Sequence, residues 1–170
     1  MKTVDVISAS LQERRLIENL FQLYTHDFSE NWAGTDRGDV DADGRFAPYP
    51  LDRYWGEDSH IPLLFRVDSH IAGFALVNGE SHNGAAVDRA IAEFFVLRKY
   101  RRGGVGTAAA HAIFARYPGL WEVAVARSNV SALAFWRRTI GSFAKVGDLI
   151  EDDVQTPDWN GPLLRFRVSA

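Results

Sequence analysis

The stretch from Val96 to Thr107, with the sequence VLRKYRRGGVGT, decides the fold. It overlaps the run AIAEFFVL at 90–97, whose β-branched and aromatic residues are typical of a buried strand. It leads into an alanine-rich segment with six positions at helical spacing on one face, namely Val105, Ala108, Ala109, Ala112, Ile113 and Arg116. The predicted local order is therefore strand, loop, helix.

Three glycines make this loop suited to binding an anion. Gly103, Gly104 and Gly106 lack Cβ atoms, so a ligand can approach the N–H groups of the first helical turn. The positive end of the helix dipole lies at the same place, and Arg101 and Arg102 add positive charge. The pattern predicts a phosphate-binding loop, and the alternative is a tight turn with solvated arginines.

Composition limits the class of protein. The 170 residues are 46% hydrophobic, with five Trp and eleven Phe, which is enough for one packed domain over 1–170. A net charge of -3 argues against nucleic acid as a partner. The lack of cysteine excludes disulfides and thiolate nucleophiles. No apolar run reaches the roughly 18 residues of a membrane span, so we expect a soluble, cytoplasmic protein with no membrane partner.

The rest of the chain alternates predicted strands and helices. A capping-box pattern at Ser10 to Glu13 opens a helix that we expect to end near His26. The expected elements are a strand at 4–9, this helix, an antiparallel hairpin of 61–67 and 71–78, a strand at 87–97, the glycine-loop helix, a strand at 120–126, a helix at 131–140, and strands at 142–150 and 163–168. They predict an α/β domain with a central, mixed, mostly antiparallel twisted sheet of six to seven strands and helices on both faces.

Two motifs together resemble the GNAT superfamily of acetyltransferases. Arg101-x-x-Gly104-x-Gly106 is similar to the loop with which this family binds the pyrophosphate of coenzyme A. The block from Asn129 to Phe143, NVSALAFWRRTIGSF, is similar to the family's Asn-x-x-Ala-x-x-Phe-Tyr block, after which Gly and Phe open the next strand. The resemblance is close over 87–150. It implies the GNAT fold, acetyl-CoA as cosubstrate and an amine as acceptor.

The resemblance also implies the cofactor site. The backbone of Val96 would hydrogen-bond the pantetheine arm. The implied acetyl-CoA-binding residues are Phe95, Val96, Arg101, Arg102, Gly103, Gly104, Val105, Gly106, Thr107, Asn129 and Trp136. Gly104-x-Gly106-x-x-Ala109 also fits a dinucleotide-binding fingerprint, but five charged or aromatic residues at 98–102 separate the strand from the glycines, which disfavours that fold.

Trp136 departs from the family pattern. The family's frequent tyrosine at this position protonates the departing thiolate of coenzyme A, and an indole N–H is no acid near neutral pH. A thiol with a pKa of about 8.5 can leave as thiolate, with solvent or one of Tyr24, Tyr49 and Tyr54 supplying the proton. The alternative is that Trp136 is only an aromatic residue of the core.

Glu93 is the candidate general base. It lies among Ile91, Phe94 and Phe95, where partial desolvation raises the pKa of a carboxyl group toward neutrality. The family often places a base on this strand. The alternative is a structural ion pair with a nearby arginine.

The segment at about 26–55 is acidic and aromatic and lies where the family varies. An acidic field would attract a cationic amine, and the candidate substrate residues are Tyr24, Asp27, Glu30, Tyr49 and Trp55. Asp39 to Gly44, DVDADG, matches half of an EF-hand loop, but Pro50 stands where the bidentate Glu belongs. A solvated loop remains the alternative for the whole segment.

The sequence therefore predicts an N-acetyltransferase that acts on a primary amine of a small molecule or on an exposed amino group, by direct attack on acetyl-CoA. Scattered histidines and the lack of a Gly-x-Ser-x-Gly elbow give no sign of a metal site or a serine hydrolase. A non-catalytic module that binds or senses acyl-CoA is the alternative function. The acceptor and a possible homodimer stay open.

Overall fold

A computed structural model describes residues 3–170 as one mixed α/β unit. Its seven strands are β1 (Val4–Ser8), β2 (Ile61–Val67), β3 (His70–Asn78), β4 (Arg89–Val96), β5 (Gly119–Ala124), β6 (Val146–Gln155) and β7 (Asn160–Val168). Its α-helices are α1 (Arg14–Ser29), α2 (Val105–Arg116) and α3 (Val130–Gly141). The strands form one sheet in the order β1-β2-β3-β4-β5-β7-β6. Only β4 and β5 are parallel, so the predicted mixed, mostly antiparallel sheet is confirmed.

The sheet has an apolar core on each face. Residues of α2 and α3, including Phe114 and Ile140, pack on one face, and residues of α1, including Ile17 and Phe21, pack on the other. The predicted placement of helices on both faces is confirmed. The longest helix, α1, has 16 residues, and no helix within 3–170 combines the length and the apolar character that crossing a bilayer requires.

Several predicted boundaries are wrong. Strand β5 ends at Ala124, β6 continues to Gln155 and β7 begins at Asn160. Two further differences have a clear packing reason. The first helix continues past His26 to Ser29, because Phe28 packs edge-on against Tyr24 and Trp32 and extends the apolar face of α1. The strand expected from Ser142 begins only at Val146. The preceding residues form a turn in which Phe143 packs on Phe114 of α2 instead of opening the strand.

The inward face of α2 also differs from the expected one. Val105, Ala109 and Ile113 are buried as expected, but Ala108 and Arg116 are exposed. The face includes Ala110 and Phe114 instead. Small apolar side chains lie all round this helix, so its sequence pattern does not define a single stripe.

Strand β4 positions the candidate site. Only Arg89, Ala90 and Ile91 pair with β5, so the rest of β4 has no partner on that edge. On the other edge, Leu76 pairs with Glu93 and Val77 pairs with Ile91, which marks a β-bulge at Ala92. The bulge places Glu93 on the α1 face with Phe95, although Ile91 packs on the α2 face.

A fully buried carboxylate, Glu122 in β5, fixes the loop between β3 and β4 to the sheet. It accepts hydrogen bonds from the Ser81 hydroxyl (2.7 Å) and the His82 N–H (2.9 Å), and Arg165 of β7 lies 3.0 Å away as its ion-pair partner. Burial favours the neutral form, but the hydrogen bonds from His82 and Ser81 outweigh it and lower the pKa of Glu122 from 4.5 to about 2.

Replacing Glu122 with Gln should lower the free energy of unfolding at pH 7 by about 3 kcal/mol, because Arg165 loses a buried counter-ion. The lowered pKa means that the carboxylate's contribution is fully present above pH 4.5 and is lost as the pH falls toward about 2. The difference between the two proteins should therefore shrink over that range, which denaturant unfolding at pH 7 and at acid pH measures.

The control is Glu18→Gln, which breaks a half-exposed pair with Arg14 within α1 and should cost less than about 1 kcal/mol. Equal losses in the two variants, or a difference that does not change with pH, would contradict the role given to Glu122.

Candidate active site

A groove of about 830 Å³ runs along the free edge of β4. Its walls come from the end of α1, the C-terminal half of β4, the first turn of α2 and the start of α3. We call it the β4 groove. It brings together most of the cofactor residues expected from the sequence: Phe95, Val96, Arg101, Arg102, Gly104, Gly106, Thr107 and Asn129.

The first turn of α2 presents free hydrogen-bond donors to this groove. Gly104 is the N-cap with a φ of +81°, a left-handed conformation that glycine adopts without strain, and no side chain caps the helix. The first α-helical bond runs from the Ala108 N–H to the Gly104 carbonyl, so the preceding N–H groups have no partner within the helix. The helix dipole and these donors together favour an anion.

Gly106 lies on the floor of the groove. A Cβ atom there would come within 3.2 Å of the Phe135 ring, so a larger side chain would have to extend into the groove or displace that ring. The expected role of Gly103 finds less support, because this exposed residue does not line the groove. Val105 does not line it either, because its side chain is buried in the core.

Two arginines of the loop are tied to α1. Arg101 donates through Nε to the Val96 carbonyl (2.7 Å), and its Nη2 lies 2.5 Å from the Asp27 carboxylate. Arg98 reaches the same carboxylate at 2.7 Å. Burial alone would raise the pKa of Asp27, but hydrogen bonds from Arg98 and Arg101 lower it below its ordinary value. Asp27, expected to attract the acceptor, thus serves as the counter-ion of Arg98 and Arg101.

The free edge of β4 exposes peptide groups. The Leu97 N–H donates to the Ala72 carbonyl of β3 at 2.8 Å, so the N–H and C=O of Val96, one residue earlier, point to the opposite edge. There the Val96 carbonyl accepts the Arg101 side chain. An extended ligand can pair with this edge in the place of a neighbouring strand.

Glu93 lies on the other side of β4 from α2, among tyrosines. Burial raises the pKa of its carboxyl group from 4.5 to about 7, although the nearby Tyr24 and Tyr49 hydroxyls and His82 favour the ionised form. No arginine is among these neighbours, so the structure does not support the ion-pair alternative. A carboxyl group that titrates near neutral pH is suited to general-base chemistry.

The hydroxyls of Tyr24 and Tyr49 lie near the Glu93 carboxylate and favour its ionised form. Burial and the Glu93 charge raise the pKa of both tyrosines, so both keep their protons. Tyr24 also lines the β4 groove. The structure therefore brings together three of the residues expected at the catalytic and acceptor sites.

Trp136 lies away from the β4 groove. It is buried and packs edge-on against Phe94, with ring centroids 4.9 Å apart. The expected contact of Trp136 with the cofactor is therefore corrected in favour of a core role. Phe135, one position earlier on α3, lines the groove instead.

The other expected substrate residues are dispersed. Glu30 lines the β4 groove at the end of α1. Trp55 packs against the core on the α1 face, where its indole N–H donates to the Ala9 carbonyl at 3.0 Å, so it has a structural role. Asp41 accepts the N–H groups of Asp43 (3.0 Å) and Arg45 (2.9 Å), and the EF-hand-like pattern is therefore an Asx turn. Within 3–170, no cluster of three or more potential ligands could hold a metal ion.

The sequence interpretation missed several groove residues on α3. Asn129 caps this helix by accepting the Ala132 N–H at 3.1 Å, and Ala132, Phe135 and Arg138 follow on the groove face. Their spacing of three residues is the helical signal that could have identified them.

The sequence from 17 to 141 matches the model of the acetyltransferase (GNAT) family. Among curated proteins, none has a sequence that matches this chain significantly.

Solved structures share the fold. An acetyltransferase from Thermus thermophilus has a TM-score of 0.64 at 14% identity, with 96% of this chain and 95% of that chain covered. The aminoglycoside acetyltransferase AAC(6')-Ib in complex with coenzyme A and kanamycin has a TM-score of 0.61 at 15% identity, covering 96% and 93%. The ribosomal-protein-S18-alanine N-acetyltransferase from Escherichia coli has a TM-score of 0.52 at 13% identity, covering 99% and 96%.

These similarities confirm the expected fold. The family match covers more than half of the sequence and includes all of β4, α2 and α3, three of the elements that present the groove residues. The chain belongs to the acetyltransferase (GNAT) family.

Proposed function

We propose that this chain is an N-acetyltransferase that transfers the acetyl group of acetyl-CoA directly to a primary amine, either of a small molecule or of an exposed amino group. One observation carries the proposal. Glu93, with a pKa of about 7, lies on β4, the strand whose free edge borders the β4 groove. Direct transfer is helped by a base near the amine and by a thioester held in position, and β4 would supply both.

Acetyl-CoA fits the β4 groove by its charge and shape. The free N–H groups of Val105, Gly106 and Thr107 and the charge of Arg102 would hold the pyrophosphate. The pantetheine arm would lie along the free edge of β4 and pair with the Val96 N–H. The complex of AAC(6')-Ib with coenzyme A, a structural neighbour, supports this choice of cosubstrate.

The chemistry needs no covalent enzyme intermediate. Glu93 takes a proton from the ammonium form of the acceptor and passes it to solvent. The neutral amine attacks the thioester carbonyl carbon, and backbone N–H groups of the free β4 edge stabilise the oxyanion of the tetrahedral intermediate. The nitrogen of this intermediate then gives its second proton to Glu93 as the C–S bond breaks, which leaves a neutral amide. Coenzyme A leaves as thiolate.

Tyr24 is the best-placed donor for the thiolate. It lines the β4 groove, and its hydroxyl lies near Glu93. Its raised pKa keeps it protonated until the thiolate forms. The proton that Glu93 removed from the amine can then replace the one that Tyr24 donates, so the enzyme returns to its starting state.

A second candidate is a non-catalytic module that binds acyl-CoA. The observation in its favour is the burial of Trp136, which leaves α3 without an acid at the position where the family often has one. Release of free coenzyme A from acetyl-CoA by the purified protein with a panel of amines separates the two candidates, because only a transferase releases it.

Gly106→Glu should weaken acetyl-CoA binding by at least about tenfold, because the side chain adds volume and a negative charge where phosphate would bind. Isothermal titration calorimetry measures the affinity. Arg102→Glu, at an exposed position of the groove, should weaken binding in the same direction without disturbing the core. Gly147→Glu, on the exposed edge of β6 with open space around it, is the control and should leave the affinity intact.

Glu93→Gln should lower kcat by about 10²- to 10⁴-fold, because an amide cannot act as the base. The acetyl-CoA affinity should stay unchanged, because the substitution does not alter the β4 groove. In the wild type, the rate should rise with pH as Glu93 loses its proton around pH 7. The variant should lack this limb of the pH profile. A variant with the wild-type rate and profile would return Glu93 to a structural role.

The same substitution should stabilise the protein at alkaline pH. The raised folded pKa means that stability falls as the pH rises from 4.5 to about 7 and the buried carboxylate ionises. Glu93→Gln should therefore raise the melting temperature at pH 8 and leave it almost unchanged at pH 4. The upper limit is near 3 kcal/mol, since each pKa unit corresponds to about 1.4 kcal/mol. Equal melting temperatures at pH 8 would contradict the burial of an ionised group.

A further inference from the structure

A second cavity, of about 260 Å³, lies between α1 and the segment 37–50. Its walls are mostly ring side chains: Phe21, Trp32, Phe46, Pro48, Tyr49 and Pro50. We call it the aromatic pocket. It is separate from the β4 groove, and the proposed cofactor chemistry does not use it.

Several contacts hold the pocket open in one shape. The Gln22 side chain of α1 binds the Phe46 backbone twice, accepting its N–H at 2.9 Å and donating to its carbonyl at 3.1 Å. Gly38 has a φ of +82°, and a Cβ atom there would come within 2.6 Å of the Trp32 ring. Arg37 lies over the same ring, 4.9 Å from its centroid. Because these contacts fix the walls of the pocket in the free protein, a ligand would not have to order them when it binds.

The pocket adjoins the reaction centre through Tyr49. The ring of Tyr49 forms one wall and stacks on Phe21 at 4.4 Å, while its hydroxyl lies near Glu93. Phe21 in turn packs edge-on against Tyr24 at 5.6 Å. Tyr49 thus belongs both to the pocket and to the surroundings of the candidate base, and Phe21 connects the pocket with Tyr24.

The charges around the pocket do not favour a polycation. Its lining has one arginine, Arg37, and one carboxylate, Asp39, which balance each other. Asp27, a nearby acid of α1, is engaged by Arg98 and Arg101. Asp41 is engaged by backbone N–H groups. Within the lining, a second ammonium group would find no carboxylate besides Asp39, so its desolvation there would be uncompensated.

We infer that the aromatic pocket binds the apolar part of the acceptor, so that the acceptor is a monoamine with one aromatic or compact aliphatic group and not a polyamine. The inference rests on the proposed acetyl transfer and specifies its acceptor class. The pocket volume of about 260 Å³ is large enough for such a group, because an engineered apolar cavity of about 150 Å³ holds one benzene molecule. Burial of such a group against rings anchors the amine beside Glu93.

The test compares three amines with acetyl-CoA as donor: 2-phenylethylamine, ethylamine and spermidine. Wild-type protein should show the highest kcat/KM with 2-phenylethylamine. Thr25→Trp, from α1, and Ala47→Trp, from the opposite wall, fill the pocket from two sides. Each should lower the preference for 2-phenylethylamine over ethylamine by about 10- to 100-fold, as expected for losing the burial of one ring. Leu23→Trp, on the exposed side of α1, is the matched control and should keep the preference.

Direct binding separates this inference from the proposed function. Calorimetry with 2-phenylethylamine alone should show binding to wild type and to Leu23→Trp but not to the two filled variants. Such binding without coenzyme A release would support the pocket and refute acetyl transfer. Faster turnover of spermidine than of 2-phenylethylamine, or wild-type preference and binding in both filled variants, would overturn the assignment of the pocket.

Discussion

The separation of β4 from β5 after Ile91 is the constraint on which the rest of the site depends. A strand edge inside a protein must satisfy its peptide groups, and the free half of β4 offers them to a ligand. The groove follows from this separation, because α2 and α3 pack on one face of the sheet and their N-termini open toward the gap. The Arg101 side chain satisfies one carbonyl of that edge, at Val96, and joins the strand to the loop that precedes α2.

The sequence predicted best what depends on local chemistry. The glycine loop, the hairpin with left-handed Asp68 and Ser69, and the order of strands and helices all follow from residues a few positions apart. The errors came from long-range packing. Nothing near Asp27 in sequence shows that two arginines more than 70 residues away will bind it. Trp136 and Phe135 are adjacent aromatic residues, and only the position of α3 against Phe94 determines which of them faces the groove.

The neighbouring strands β4 and β5 carry two carboxyl groups in opposite electrostatic situations. Glu122 in β5 is surrounded by donors and has its pKa lowered to about 2, whereas Glu93 in β4 lies among aromatic rings and has its pKa raised to about 7. The first arrangement favours the ionised carboxylate and stabilises the fold. The second disfavours it and makes the group reactive near neutral pH, at the expense of stability. Burial alone therefore does not identify a general base, because the hydrogen-bond donors around a buried carboxyl group determine whether its pKa is lowered or raised.

The bulge at Ala92 lies at the point where β4 separates from β5. The last pair with β5 is at Ile91, and a bulge bends a strand and increases its twist. Ala92 is the one extra residue between the pairs of β3 with Ile91 and with Glu93, so removing it would give a regular ladder in which Leu76 still faces Glu93. A deletion of this single residue would therefore straighten β4 beside β5 while the acid keeps its face of the sheet, and it separates the opening of the strand edge from the placement of the base.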